Sequence, residues 1–170
     1  MKKGSYEFLE KLIDAISPSG FEDEAAAVWM AEAKTFANQV RCDSHGNSIA
    51  VVNPEGSPRI MFAGHNDEIG FLVTHISDEG FLWIGPVGGW DPQIPQGHRV
   101  TIRTKSGHVP GVIGKCPVHL IKPDDRNKVT PLDQLWVDIG AKDRKETSVH
   151  YSLQNAELTL ESAQLRLRTA

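Results

Sequence analysis

Ile60-Met61-Phe62-Ala63-Gly64-His65-Asn66-Asp67-Glu68-Ile69-Gly70-Phe71 separates two unlike kinds of sequence. Before it the apolar residues recur at helical spacing: Phe8, Leu9, Leu12, Ile13 and Ile16 predict a helix from about Lys2 to Ala15, stopped by the turn formers Ser17-Pro18-Ser19-Gly20. A second helix is expected from about Glu22 to Ala37. Glu22, Asp23 and Glu24 suit the positive end of its dipole, and Ala25, Val28, Trp29 and Ala33 form its apolar face. Val40–Asp43, Ser48–Val52 and Arg59–Ala63 read as strands, divided by His45-Gly46-Asn47 and by the Pro- and Gly-rich stretch from Asn53 to Pro58.

After the junction the pattern changes to short β-type runs: Phe71–Ile76, Phe81–Ile84, Arg99–Thr104, Val109–Ile113 and Leu135–Ile139. Gly and Pro punctuate them at Gly80, Gly85-Pro86, Gly88-Gly89, Pro95, Gly97, Gly107 and Pro110-Gly111, as in a small barrel or sandwich. The fold class expected is therefore α/β, with an α/β unit over 1–68, an all-β unit over 69–141, and a divergent tail over 142–170. In that tail Leu158/Leu160 and Leu165/Leu167 alternate without any Gly or Pro.

Composition narrows the function. The chain has 170 residues, 39% hydrophobic and 24% charged, which is ordinary globular usage and enough to bury a core without staples. Eighteen Lys and Arg against 22 Asp and Glu leave a net charge of −4, and no basic block forms a nucleic-acid footprint, so no nucleic acid is expected as a partner. The apolar runs are too short to span a bilayer, and Met-Lys-Lys-Gly-Ser lacks the apolar stretch of a signal peptide, so no membrane association and a cytoplasmic location are expected. Cys42 and Cys116 have no CxxC partner and read as reduced thiols.

Chemistry concentrates at His65 and Asp67. Two residues apart in an extended chain, their side chains leave on one face. A neutral imidazole is a good ligand for a borderline divalent ion. A carboxylate beside it can share that ion, or hold the ring's other N–H so that the correct nitrogen faces the metal. A plain structural His–Asp hydrogen bond is the alternative reading of the same spacing.

The stretch resembles the first metal-ligand segment of the family 42 metallopeptidases, glutamyl- and leucyl-type aminopeptidases of which some members carry the name endoglucanase. The resemblance also takes in Ser17-Pro18-Ser19-Gly20-Phe21-Glu22, Asp43-Ser44-His45-Gly46-Asn47 and Gly80-Phe81 with Pro86-Val87-Gly88-Gly89-Trp90. It continues through Gly97-His98-Arg99-Val100, Gly111-Val112-Ile113-Gly114, Pro117-Val118-His119-Leu120 and Leu135 to Ala141. It implies an aminopeptidase-type α/β catalytic half-domain followed by a small β domain that builds homo-oligomers. It further implies a pair of zinc or cobalt ions that removes N-terminal residues from peptide substrates. By position His65 is the first metal ligand and Asp67 the catalytic carboxylate behind it. The family's further ligands, a bridging Asp in Asp-Asp-Arg, a Glu-Glu pair, another Asp and a late His, follow its Ile-Gly-Ala segment and have no counterparts here, so at most one ion is expected.

Three near-substitutes read otherwise. Asp124-Asp125-Arg126 lies before the Leu135 strand in a Pro-flanked, loop-like stretch; Glu157 and Glu161 have the i,i+4 spacing of a surface pair; His150 is isolated. His45, His75, His98, His108 and His119 read as structural, Trp83, Trp90 and Trp136 as core or interface anchors, and Ser17 to Gly20 as a turn rather than a nucleophile. The functional expectation is a metal-dependent aminopeptidase polypeptide, truncated or frameshifted after Ala141 and inactive by itself. The alternatives are a non-catalytic oligomerisation fragment and a carbohydrate-active hydrolase, the latter requiring two facing carboxylates that the sequence does not offer.

Overall fold

A computed structural model describes residues 3–150 and 164–167. The chain divides into two compact units, Met1–Glu68 and Ile69–Ala170.

In the first unit α1 (Lys3–Asp14) and α2 (Asp23–Ala33) precede the antiparallel hairpin β1 (Gln39–Cys42) and β2 (Ser48–Val51). Asp23 and Glu24 occupy the first turn of α2, where the helix dipole favours negative charge, and Ala25, Ala26 and Ala33 are its buried residues. The helix stops at Ala33, shorter than the expected Ala37, and Phe36 is left exposed. The hairpin turn is organised by Asp43. Its Oδ1 accepts from the backbone N–H groups of His45 and Asn47 at 2.9 and 3.0 Å, and its Oδ2 from the Asn47 side chain at 2.9 Å. Gly46 supplies the positive φ of 86° that this turn requires.

One expected strand is not formed. Residues 59–63 carry no strand assignment, and Ile60, Met61 and Phe62 are 73%, 86% and 94% exposed. Apolar β-type residues make a strand only when a neighbouring strand takes up their backbone N–H and C=O groups, and no described strand pairs with them.

The second unit is a closed six-stranded barrel. Its strands are β3 (Gly70–Ile76), β4 (Leu82–Val87), β5 (Arg99–Thr104), β6 (Gly107–Gly114), β7 (Trp136–Asp138) and β8 (Gln164–Leu167), in the order β3-β4-β7-β6-β5-β8. Alternation, shifted on β3 by an irregularity between Val73 and His75, decides which face is inside: Phe71, Val73 and Ile76 on β3, Leu82 and Ile84 on β4, Val100 and Ile102 on β5, Ile113 on β6 and Val137 on β7 share one core with Leu135. Burying each such side chain contributes about 1.5–3 kcal/mol. Trp90 closes one side by stacking on Phe71 at 4.6 Å and donating its indole N–H to the Gly70 carbonyl at 2.8 Å. The outer face carries a cross-strand row in which His75, Trp83 and Trp136 lie in register, His75 stacking on Trp83 at 5.5 Å and Trp83 tilting on Trp136 at 5.6 Å.

The described residues beyond Ala141, 142–150 and 164–167, belong to the same unit as the barrel. Helix α3 (Arg144–His150) packs at the β3–β4 turn, where the Arg144 backbone N–H donates to the Asp78 carbonyl at 3.0 Å and its guanidinium to the Ile76 carbonyl. β8 pairs with both β3 and β5 and completes the circle. No helix among the described residues is long and apolar enough to cross a membrane.

Candidate metal-ligand segment

A clamp of backbone hydrogen bonds within the first unit sets the site. Ser17-Pro18-Ser19-Gly20 ends the first helical region, and its backbone runs parallel to Glu68. The Glu68 N–H donates to the Ser17 carbonyl at 2.8 Å, and the Ser19 N–H to the Glu68 carbonyl at 3.2 Å. The turn itself is closed by the Phe21 N–H on the Pro18 carbonyl at 2.8 Å and by the Gly20 N–H on Glu22 Oε1 at 2.6 Å. Gly20 has φ +91°, a conformation that side-chain-bearing residues rarely adopt.

That clamp brings Ser19 onto Asp67, 48 residues later. The Ser19 hydroxyl donates to Asp67 Oδ2 at 2.6 Å, while Asp67 Oδ1 lies 2.8 Å and the Asp67 carbonyl 3.0 Å from His65 Nδ1. Both partners of Nδ1 accept only, so the tautomer that fits carries its proton there and leaves the Nε2 lone pair free. The Ser19 hydroxyl, and after it His65, hold the Asp67 carboxyl below its ordinary value. His65 is 84% exposed and Asp67 36%, so Nε2 is open to a ligand from solvent.

The donor chemistry fits a borderline divalent ion at a single point. His65 Nε2 could serve as a ligand, and Asp67, both of whose oxygens are engaged, could orient the ring. Among the described residues no group of three His, Cys, Asp or Glu side chains gathers to complete a coordination shell.

Of the near-substitutes, Asp125 is engaged in its own loop, where its Oδ1 pairs with Lys128 Nζ at 2.8 Å, and the Arg126 Nε–H donates to the Ile121 carbonyl at 3.3 Å. Glu157, Glu161 and the His150 side chain lie outside the described residues. His75 belongs to the outer aromatic row of the barrel, and His45 is exposed in the Asp43 turn. Local pattern gave no sign of the Ser19 contact, because Ser17 to Gly20 reads as a complete turn without it.

Comparison with known proteins identifies the fold and the family. The chain is 34% identical to the TET aminopeptidase of the marine sediment archaeon Thaumarchaeota archaeon, with a TM-score of 0.86 over 96% of this chain and 44% of that one. The Pyrococcus horikoshii TET1 peptidase, described as assembling into a tetrahedron or a large octahedral shell, matches at 34% identity and a TM-score of 0.78, over 96% of this chain and 46% of that one. Among curated relatives, the lysyl aminopeptidase of Pyrococcus furiosus is 33% identical over 144 residues, covering 83% of this chain and 41% of that protein. An α/β unit that ends in a His-x-Asp segment and leads into a β-barrel is thus an aminopeptidase fold. Residues 46–151 match the M42 glutamyl aminopeptidase family, and the chain belongs to it. It spans about two fifths of the length of such relatives.

Proposed function

We propose that this polypeptide serves metal-dependent removal of N-terminal residues from peptides, with His65 as first ligand to a divalent ion, zinc or cobalt, and Asp67 as the carboxylate that holds the imidazole. The observation that carries this reading is the 2.8 Å contact between His65 Nδ1 and Asp67 Oδ1 within the family match. A divalent ion held there through His65 Nε2 would supply Lewis acidity toward a water and a peptide carbonyl. This chain's part is to hold Nε2 deprotonated and aimed.

Ligand count limits what these residues do by themselves. A catalytic zinc site takes three protein ligands and a water, and the described residues offer one. The other ligands and the general base would come from outside the described residues, which by themselves would hold at most one ion, weakly. A second reading, a non-catalytic oligomerisation piece, is favoured by the barrel, which closes around its own core. The similar TET1 peptidase can assemble into a tetrahedron or a large octahedral shell, and homo-oligomers of this chain through the β unit suit either reading.

Calorimetric titration of the purified chain with zinc and with cobalt tests the first reading. One weak site per chain, absent from His65→Ala, is expected; heat of binding that is identical in the two proteins would overturn it.

A further inference from the structure

We propose that Ser19 is a positioning residue of this site: its hydroxyl fixes the Asp67 carboxylate so that His65 is held in the Nδ1–H tautomer, with Nε2 presented as a ligand. The inference rests on the reading of His65 as a metal ligand and adds a residue from a segment that otherwise serves as a turn.

A carboxylate with two free oxygens rotates about its terminal bond, and an exposed one is pulled toward water. Asp67 is half exposed, yet its two oxygens are divided between two donors: Oδ2 takes the Ser19 O–H at 2.6 Å and Oδ1 faces His65 Nδ1 at 2.8 Å. Removing the first donor frees the group to turn and to exchange His65 for water. A solvated neutral imidazole has no need to keep its proton on Nδ1, since the hydrogen bond made by one nitrogen decides the protonation of the other. Ser19 acts through Asp67, at one remove from the ligand atom.

The backbone explains why Ser19 can do this. Its own N–H donates to the Glu68 carbonyl, and the Glu68 N–H to the Ser17 carbonyl, so the residue that follows Asp67 is tied to both Ser17 and Ser19. Ser17 N–H on Glu68 Oε1 at 3.3 Å adds a third tie. The hydroxyl is therefore delivered by a preformed frame, and its loss leaves that frame in place. Thr in the same position retains the donor; Ala does not.

The test is nitrogen-detected NMR of the His65 ring in the metal-free 170-residue chain, comparing wild type, Ser19→Ala, Ser19→Thr and Asp67→Ala. For the neutral ring, wild type and Ser19→Thr are expected to show Nδ1 protonated and Nε2 bare. Ser19→Ala is expected to shift a substantial share of the population toward the Nε2–H form, and Asp67→Ala to shift more. The amide resonances of Ser17 and Glu68 should stay in place in Ser19→Ala. An Nε2–H ring in wild type, a tautomer unaffected by Ser19→Ala, or a change accompanied by displaced Ser17 and Glu68 amides would each overturn the proposal. A zinc titration followed on the same resonances separates the two claims. Loss of a single orienting partner typically weakens a metal site about 10–100-fold, and Ser19, one step further out, should weaken binding about threefold to tenfold. Zinc that leaves the His65 resonances of wild type untouched contradicts the metal reading, while the tautomer still decides the role of Ser19.

Discussion

Thr147, fully buried on α3, donates its hydroxyl to the Gly80 carbonyl at 2.8 Å across 67 residues of sequence. The two fit closely: a Cβ on Gly80 would lie 2.9 Å from both the Thr147 hydroxyl and the Asp143 carbonyl, and Gly80 has φ +89°. Thr147→Val keeps the shape and strands a buried acceptor, so it should cost about 1–3 kcal/mol. Urea unfolding followed by tryptophan fluorescence measures this. Thr147→Ser should lose much less, and equal losses in the two variants would refute the hydrogen-bond account.

Gly111 permits the closest approach inside the barrel. A Cβ there would sit 2.4 Å from Val137 Cγ1 and 3.1 Å from the Asp138 carbonyl, and Val137 is fully buried. Gly111→Ala should destabilise the second unit by about 1–3 kcal/mol through overpacking. Gly97→Ala serves as a contrast, because nothing lies within 4 Å of its Cβ and the penalty there comes from φ +79° alone. Comparable near-UV dichroism in wild type and Gly111→Ala, with no loss of stability, would contradict this packing.

Much of the barrel was legible because its signals are local. Arg99–Thr104 alternates and is bounded by Gly97 and Gly107, and the structure places β5 on those same residues. β8 was not legible as a barrel strand: Leu165 and Leu167 alternate, but only their pairing with β3 and β5 tells the strand where it belongs. Arg59–Ala63 failed the opposite way, since a strong strand pattern says nothing about whether a partner is present. At the site, His65 and Asp67 could be singled out from a two-residue spacing, whereas Ser19 needed a contact spanning 48 residues.

The exposed Ile60-Met61-Phe62 run has no strand partner among the described residues and carries apolar side chains, a combination that invites edge-to-edge association. Sedimentation velocity over rising concentration should show self-association of the wild-type chain that Phe62→Asp reduces. A wild-type chain that stays monomeric throughout would count against it.

Acidification should loosen two loops. The Asn47 side chain, with backbone N–H groups of His45 and Asn47, holds the Asp43 carboxyl below its ordinary value, and Ser19 followed by His65 does the same for Asp67. A lowered folded value means the unfolded chain binds protons first, so the stabilisation is complete above the ordinary aspartate value of about 3.9 and fades as pH falls through the folded values. Carboxyl carbon resonances should titrate below the ordinary range for both residues, and Asn47→Ala should raise Asp43 alone. Midpoints at or above the ordinary value would refute this.

Ligand count is the core of the functional account, and turnover tests it most directly. The purified 170-residue chain is incubated with zinc or cobalt and a panel of aminoacyl-p-nitroanilides, with His65→Ala as control. One ligand arm without a bridging carboxylate or a base should give release of p-nitroaniline indistinguishable from that of the control. Sustained turnover that His65→Ala abolishes would contradict the account and show that these residues, or a neighbouring copy of them, complete the site.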